Sequence, residues 1–478
     1  MGRYLVHTFG CQMNAHDSDR MEEVLRAHGW TAAASVDEAD LVVLNTCSVR
    51  EKAEQKLRSE VGKLAPLKSR RERGLVLAVA GCVAQQEGEK LLARVSHLDL
   101  VVGPDNLAEL PMLVADQMAG APPRARTVFD LDAPRFLAAA PEPGSAPVSA
   151  FVTTMKGCDE RCSFCIVPYT RGPERYRPAS EILDEIARWV ESGAREVTLL
   201  GQTVDSYRDP ALPPPASDDP DESQFPSLLR AIAERVPGLR RLRYTSPHPR
   251  HATAALARAH AELDVLARHV HMPVQSGSDR MLKRMIRRYT RAEYTARVRR
   301  LLATRADMTI STDVIVGFPG ETEQDFQATL DLVRDVGFVG LFGFKYSPRP
   351  FTPALKLADD VPESEKSDRL ARLFEVAEGQ TRAHLATLVG TRQAVLVEGP
   401  GKTAGSWEGR TARNEIVHVD ARPAEGRGLA GEIVEVEITQ AFKHSLAGRP
   451  TAAAIAALPR ATGAAKPPRR RRALPLVL

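Results

Sequence analysis

Short runs rich in β-branched residues alternate with amphipathic stretches over most of this 478-residue chain, and that alternation leaves few folds open. Strands that recur only after a helix cannot close as hairpins, so they line up in parallel with the helices crossing over the sheet. In residues 1–117 the strand-like runs are 4–9, 41–44, 75–80 and 98–102, with helices predicted to start near Asp17, Arg50 and Gln85. This segment reads as one parallel α/β domain. A Pro- and Ala-rich stretch at 130–148 carries little periodicity and places a linker at 118–143. A second series then begins, with runs at 151–155, 197–200, 242–245, 270–274, 310–316 and 341–346. Six βα steps predict a partial (β/α)6, TIM-like barrel over residues 144–377.

The stretch 209–226, with Pro213, Pro214 and Pro215 among acids, breaks this rhythm and reads as a surface insertion. Short β-like runs at 393–397, 416–419 and 433–438, separated by Gly-rich turns, predict a small antiparallel β-barrel over 378–446. Residues 447–478 read as a disordered basic tail. No run approaches the ~20 apolar residues that span a bilayer, and residues 1–10 lack a signal-peptide apolar run. A cytoplasmic protein with no membrane partner is expected.

Six cysteines are too few to build a disulfide framework in a chain of this length. They read as ligands. Cys158, Cys162 and Cys165 stand in GCDERCSFC, a C-x3-C-x2-C spacing on the loop after the barrel's first strand. Three thiolates this close can hold three irons of a cubane cluster and leave the fourth open to a substrate or cofactor. The alternative is a zinc site on Cys162 and Cys165, but the sequence has no second C-x2-C or H-x3-H pair to complete it. Cys11, Cys47 and Cys82 each follow a predicted strand, after TFG, LVVLNT and VLAVAG. Carboxyl ends of parallel strands share one crevice, so these three are expected to converge. Cys47 also precedes a predicted helix whose N-terminal partial charge favours a thiolate. Singly, each could be a buried small hydrophobe; at three equivalent strand ends, they imply a second three-thiolate cluster.

With Phe164 in its aromatic position, GCDERCSFC resembles the motif of the radical S-adenosylmethionine superfamily. In that superfamily the open iron chelates S-adenosylmethionine, and one-electron reduction cleaves it to a 5′-deoxyadenosyl radical. The resemblance implies cofactor contacts at Gly201 and Gln202, and at Gly317, Gly320 and Glu321 in VGFPGET, although turn chemistry around Pro319 accounts for the two glycines equally well. The contexts TFGCQMNAHDSDRM, NTCSVREKAEQK and AGCVAQQEGEKL look like the N-terminal domain of the methylthiotransferases. Within that family CIVPYTRG, HMPVQSGSDRMLKRM and KYSPRPFTP are most similar to members that modify isopentenyladenosine beside the anticodon of tRNA. Thr203 and Asp205 stand where Asn is common in the family, and Phe351 where Gly is usual.

The resemblance implies two [4Fe-4S] clusters, S-adenosylmethionine, a tRNA substrate, a sulfur source, an electron donor such as flavodoxin or ferredoxin, and a monomer. Radical chemistry suits the substrate, because an adenine C2–H is neither acidic nor a leaving group at neutral pH. The rivals are methylthiolation of threonylcarbamoyl-adenosine or of a ribosomal-protein aspartate, and a noncatalytic RNA-binding iron–sulfur protein.

Charge says little in bulk: 65 basic and 61 acidic residues leave +4. Residues 448–478 carry +7, including Arg469 to Arg472, so the remainder nets −3. Arg280, Arg284, Arg287 and Arg291 repeat at helical spacing, with Lys283 and Arg288 between them, and predict one cationic helix face for tRNA phosphates or for solvent. GRTARN at 409–414 resembles part of a TRAM domain, a small tRNA-binding barrel, and Lys402, Arg410 and Arg413 are its candidate RNA contacts.

Overall fold

Strands Leu41–Thr46 and Val76–Gly81 are buried at every residue, which explains why their sequences show no alternation: both faces of the sheet are covered. The computed structural model describes residues 2–48, 51–70, 74–132, 134–139, 141, 144, 146–403, 405–420, 422, 426 and 428–459. The run Arg469 to Arg472, and Arg50 at the expected helix start, lie outside them. The N-terminal sheet is parallel, in the order Thr31–Ala32, Arg3–Phe9, Leu41–Thr46, Val76–Gly81, Leu100–Val102, Arg124–Arg126. Met21, Leu25, Leu110 and Leu113 pack on one face; Leu57, Val61, Leu64 and Val83 pack on the other. The two outer strands were not foreseen, since two or three residues are too few to show a period. The chain leaves Arg3–Phe9 for one edge and returns on its other side with Leu41–Thr46. That reversal is where open parallel sheets bind ligands.

Six parallel strands follow in sequence order: Ser149–Thr153, Glu196–Leu200, Arg241–Tyr244, His269–His271, Thr309–Val316 and Gly340–Lys345. They form two three-stranded sheets joined by a parallel bridge between Leu242 and Leu266. One hydrophobic core joins these strands to helices Ala179–Glu191, Phe225–Arg235, Ala254–Glu262, Arg291–Leu302 and Glu323–Val336. This is the expected partial barrel. The insertion is irregular from 210 to 221, but Pro226 belongs to the helix Phe225–Arg235, in whose first turn a missing N–H leaves no bond unmade.

Two expected boundaries are corrected. Helix Glu363–Thr387 runs without a break through the expected junction at 377/378, packing on Gly340–Lys345 and on Ile433–Ala441, so the two barrels share an element. The expected disordered tail begins too early: Leu446–Pro450 pairs with both Ile416–Asp420 and Ile433–Ala441, and helix Ala452–Ala457 follows it. Gly448 and Pro450 disguised that strand. With Arg392–Pro400 and Ser406–Thr411 it closes a five-stranded barrel.

That small barrel docks on the amino ends of the large barrel's strands. Glu196 pairs with Arg241 and Arg243, which donate to the carbonyls of Arg410, Thr411 and Ala412. The GRTARN segment is therefore a docking loop. Among the described residues no helix is long and apolar enough to cross a membrane.

Candidate functional site

Cys47 and Cys82 follow their strands directly at the sheet's carboxyl edge and Cys11 follows its own after Gly10, with Cys11 and Cys47 flanking the topological reversal. Two glycines permit the approach. Gly10 sits at φ +141, where a Cβ would stand 2.4 Å from the Cβ of Cys47. Gly81 sits at φ +89, where a Cβ would stand 2.3 Å from Asn45 Oδ1. Asn14 Oδ1 accepts from Cys11 Sγ at 3.3 Å, while Asn14 Nδ2 donates to Asn45 Oδ1 at 3.1 Å. Asn45 in turn donates to Asn14 O and Ser18 Oγ. Both asparagines are fully buried, and this network fixes the cysteine loops. Hydrogen bonding to Cys47, against burial and with help from Asn14 and the charge of Arg171, draws the Cys11 thiol down; burial pushes Cys82 up.

Arg171 belongs to the other domain. It follows helix Val167–Thr170, which packs on helix Cys82–Glu87. Its Nε donates to Cys82 Sγ at 3.3 Å, and the same guanidinium donates to Asp17 Oδ2 at 2.6 Å. The contexts quoted from the sequence contain Arg171, Asp17, Asn14 and Asn45, but nothing in their spacing links them.

Cys158, Cys162 and Cys165 lie on the loop after Ser149–Thr153, clamped from several sides. Gly157 N donates to Gln202 Oε1 and Cys158 N to Gly172 O. Ser163 N donates to Met285 O, Ser163 Oγ to Arg284 O, and Ala354 N to Ser163 O at 2.8 Å. Cys158 Sγ lies 2.9 Å from Thr203 Oγ1, and Arg287 donates to Cys162 Sγ at 3.2 Å. Burial pushes the Cys158 and Cys165 thiols up, Cys165 to about 12. Each trio thus has one buried guanidinium on one of its sulfurs.

Arg287 corrects the cationic-face expectation. Helix Asp279–Arg284 stops, Ile286 and Arg288 take φ of +57 and +58, and Arg287 turns inward to Cys162, Tyr289 Oη and Pro273 O. Two left-handed residues rotate the spacing out of register, so no single face forms. Arg280 pairs with Asp325, and Arg284 donates to Pro319 O. Arg413 is held by Asp307, Glu415 and Gln393, and Arg410 pairs with Glu398. Lys402 is exposed.

Gly317 and Gly320 take φ of +68 and +78 in the turn after Thr309–Val316. Glu321 accepts from Gly317 N and pairs with Arg369 at 2.9 Å, both side chains 1% exposed. Burial, against Gly317 and Arg369, raises its carboxyl to about 7. Glu321 braces the turn from inside rather than facing the mouth. Gly201 lies under Met155, and a Cβ there would meet Met155 Cγ at 2.7 Å.

Sequence reasoning passed over a polar cluster beside Cys158. Glu160, Asp205, His248 and His251 come together from three strand ends; His251 Nε2 lies 3.1 Å from Glu160 Oε1, and His248 N donates to Asp205 Oδ1. Burial raises the Asp205 carboxyl to about 7 and holds His248 neutral. Glu160 Oε2, Gln202 Nε2, Asp205 Oδ2 and His248 Nε2 are buried without a hydrogen-bond partner. Buried polar atoms are nearly always satisfied, so four orphans together mark a place for a polar ligand. A separate crevice of about 300 Å3, lined by Met308, Val339, His384 and Arg413, opens at the opposite strand ends and holds no cysteine.

Three family models match in sequence order: the uncharacterized protein family UPF0004 over residues 3–103, the radical SAM superfamily over 152–333 and the TRAM domain over 386–451. A curated relative from Sorangium cellulosum, tRNA-2-methylthio-N(6)-dimethylallyladenosine synthase, is 65% identical over 100% of this chain and 99% of its own length. The chain belongs to the tRNA-2-methylthio-N(6)-dimethylallyladenosine synthases. Another synthase of this name, from Neisseria meningitidis serogroup A, is 44% identical over 88% of this chain and 94% of its own. This synthase is therefore a tRNA methylthiotransferase of the radical SAM superfamily, with S-adenosylmethionine and iron–sulfur chemistry as its equipment. Its fold resembles that of the radical S-adenosylmethionine methyltransferase TsrM from Kitasatospora setae, solved with cobalamin and a [4Fe-4S] cluster bound. The TM-score is 0.51 at 15% identity, covering 85% of this chain and 82% of that one.

Proposed function

We propose that this synthase adds a methylthio group at C2 of N6-isopentenyladenosine at position 37 of tRNA, using two [4Fe-4S] clusters, one on each cysteine trio. The donor chemistry fits. Each trio offers three thiols and no carboxylate or imidazole within its set. Among the described residues no three His, Cys, Asp or Glu side chains gather as a single ion would require. A cubane takes each thiolate on a different iron, which suits donors set apart, whether on the separate loops of Cys11, Cys47 and Cys82 or along the one loop of Cys158, Cys162 and Cys165. Cys158, Cys162 and Cys165 would hold one cluster and Cys11, Cys47 and Cys82 the other. When bound, the group on Cys158, Cys162 and Cys165, together with S-adenosylmethionine, supplies the one-electron chemistry that a C–H bond requires and side chains lack.

The chain's own residues do the rest. Asn14 and Asn45 fix the first trio, and Thr203 and Arg287 hold Cys158 and Cys162. Gln202, Asp205, His248 and Glu160 turn their unpartnered atoms toward the amino, carboxylate and hydroxyl groups that S-adenosylmethionine would bring. Arg171 supports the reading: it follows Cys165 in the same segment and donates to Cys82, so a residue beside one trio reaches a cysteine of the other. A methylthio group made at one site then needs no diffusion through solvent to reach a carbon activated at the other.

Anaerobically reconstituted protein, given a reductant, S-adenosylmethionine, sulfide and tRNA carrying isopentenyladenosine, should bind about eight irons per chain, from two four-iron cubanes, and yield the 2-methylthio nucleoside by mass analysis. Four irons, or turnover only on threonylcarbamoyl-adenosine, would overturn the assignment.

A further inference from the structure

Two aromatic rings stand exposed beside the cysteine sites, and their placement identifies a contact for the RNA. Tyr169 is 39% and Phe351 56% exposed, with ring centroids 5.9 Å apart and planes at 37°. Neither ring is there through the drive to bury apolar surface. Phe351 also sits at φ +67, a conformation that crowds the Cβ of any L-residue and is uncommon for a bulky one. A glycine would meet the same turn without strain. A strained backbone that presents a large ring to solvent marks a position where the ring is wanted on the outside.

The two rings come from the segments that flank the C-x3-C-x2-C loop. Tyr169 lies between Cys165 and Arg171, the residue that reaches the other trio. Phe351 lies three residues before Ala354, whose N–H is bonded to Ser163 O between Cys162 and Cys165. Thr352, 3% exposed, donates through Oγ1 to Arg349 O and pins the turn between them. The pair is therefore fixed at the rim of the site, while the orphaned polar atoms lie inside it.

We propose that Tyr169 and Phe351 form a platform on which one nucleobase of the single-stranded anticodon loop, immediately next to the target adenosine, stacks. This rests on the reading that the substrate is tRNA. RNA loops are recognised by splaying bases onto aromatic side chains. A target base presented to the cysteine site leaves its neighbour at the rim, where the two rings are. Stacking reads a π-face rather than a base edge, so the platform sets geometry more than sequence.

The test uses the full, cluster-loaded chain and an anticodon stem-loop bearing isopentenyladenosine. Phe351→Gly should bind it roughly tenfold more weakly, the scale of one lost base–aromatic stack, and Phe351→Trp should restore binding. The Phe351→Gly chain should keep its iron content and melt at or above the parent's temperature, because the glycine relieves the turn. An abasic nucleotide on one side of the target should cost the parent the same factor and cost Phe351→Gly nothing more. Equal affinity of parent and Phe351→Gly would overturn the platform, as would an undiminished effect of the substitution on both abasic loops. So would a change in self-association with no change in RNA affinity. If the parent converts the stem-loop while the variant binds unchanged, only the platform falls; if the parent binds no stem-loop, the tRNA reading falls with it.

Discussion

Arg171→Met should loosen the N-terminal domain's grip on the barrel, and the ion pair with Asp17 sets the size of the effect. The two side chains are 4% and 9% exposed, with the guanidinium 2.6 Å from Asp17 Oδ2. At an effective dielectric of about 20 that separation is worth roughly 6 kcal/mol gross, and orphaning one partner of a buried pair costs about 3–5 kcal/mol. A second route gives the same scale. Burial pushes the Asp17 carboxyl up, and the charge of Arg171 outweighs it to hold the carboxyl at about 2. Without Arg171 only His16 still opposes burial, and at neutral pH the acid escapes by taking a proton. Forcing a proton onto a carboxyl of ordinary affinity at pH 7 costs about 4 kcal/mol. The sign follows: the parent's pair stabilises above the unfolded carboxyl's range near 3.9, and that contribution fades as pH falls toward 2. The penalty of Arg171→Met should therefore be full at pH 7 and shrink toward pH 4. Hydrogen exchange in helix Gln12–Ala27 measures it. Protection should fall by about two to three orders of magnitude at pH 7, and Asp17→Asn in the same chain should recover most of it. A loss below tenfold, or no recovery in the double variant, would refute the argument.

Replacing Cys158, Cys162 and Cys165 together by Ala should abolish 5′-deoxyadenosine formation yet leave methyl transfer from S-adenosylmethionine to the other site; methylthiolated tRNA from this variant would contradict the division of labour. Gly81→Ala should leave the radical-site iron in place and roughly halve the total by metal analysis, because its Cβ would meet Asn45 Oδ1 at 2.3 Å and push the Cys82 loop away. Burial opposes ionisation of Glu415, but its hydrogen bond with His384 and the charge of Arg413 hold its carboxyl at about 2. A depressed carboxyl stabilises above its unfolded value and loses that as pH falls, so Glu415→Gln should lower the small barrel's melting point at pH 7 and much less near pH 2. Equal shifts at both would show that the pair contributes nothing there.

The strands that hold the cysteines were legible because long, fully buried parallel strands write themselves as unbroken apolar runs, as LVVLNT and VLAVAG do. The placing of Cys11, Cys47 and Cys82 at the ends of three neighbouring strands followed from strand-end logic alone. What was hidden falls into two kinds. Short or Gly-containing strands, such as Arg124–Arg126 and Leu446–Pro450, carry no period to read. Long-range polar contacts, such as Arg171 with Asp17 or Asn14 with Asn45, join residues whose separation along the chain predicts nothing. The arginine repeat misled for a third reason. A β-branched Ile286 at φ +57 ends the helical register, and propensity gives no warning of a left-handed isoleucine.

The placement of the small barrel limits how the RNA can be held. Its GRTARN loop meets the large barrel at Arg241, Arg268 and Asp307, at or just before the first residues of their strands, while Cys158, Cys162 and Cys165 lie past the last residues of theirs. A strand of eight residues rises ~26 Å, so the two regions sit at opposite ends of the same barrel. The loop's arginines are already neutralised by Glu398, Asp307 and Glu415, and its carbonyls are taken by Arg241 and Arg243. That loop therefore orients the small barrel rather than meeting phosphates. One RNA can reach both ends only by running along the outside of the barrel, with its single-stranded loop at the cysteine end and its duplex turned toward the small barrel. An anticodon stem-loop has that division of parts, and an isolated nucleoside does not. An RNA held at both ends predicts a role for stem length: a truncated stem should bind more weakly than the full stem-loop and keep the contribution of the Tyr169–Phe351 rim.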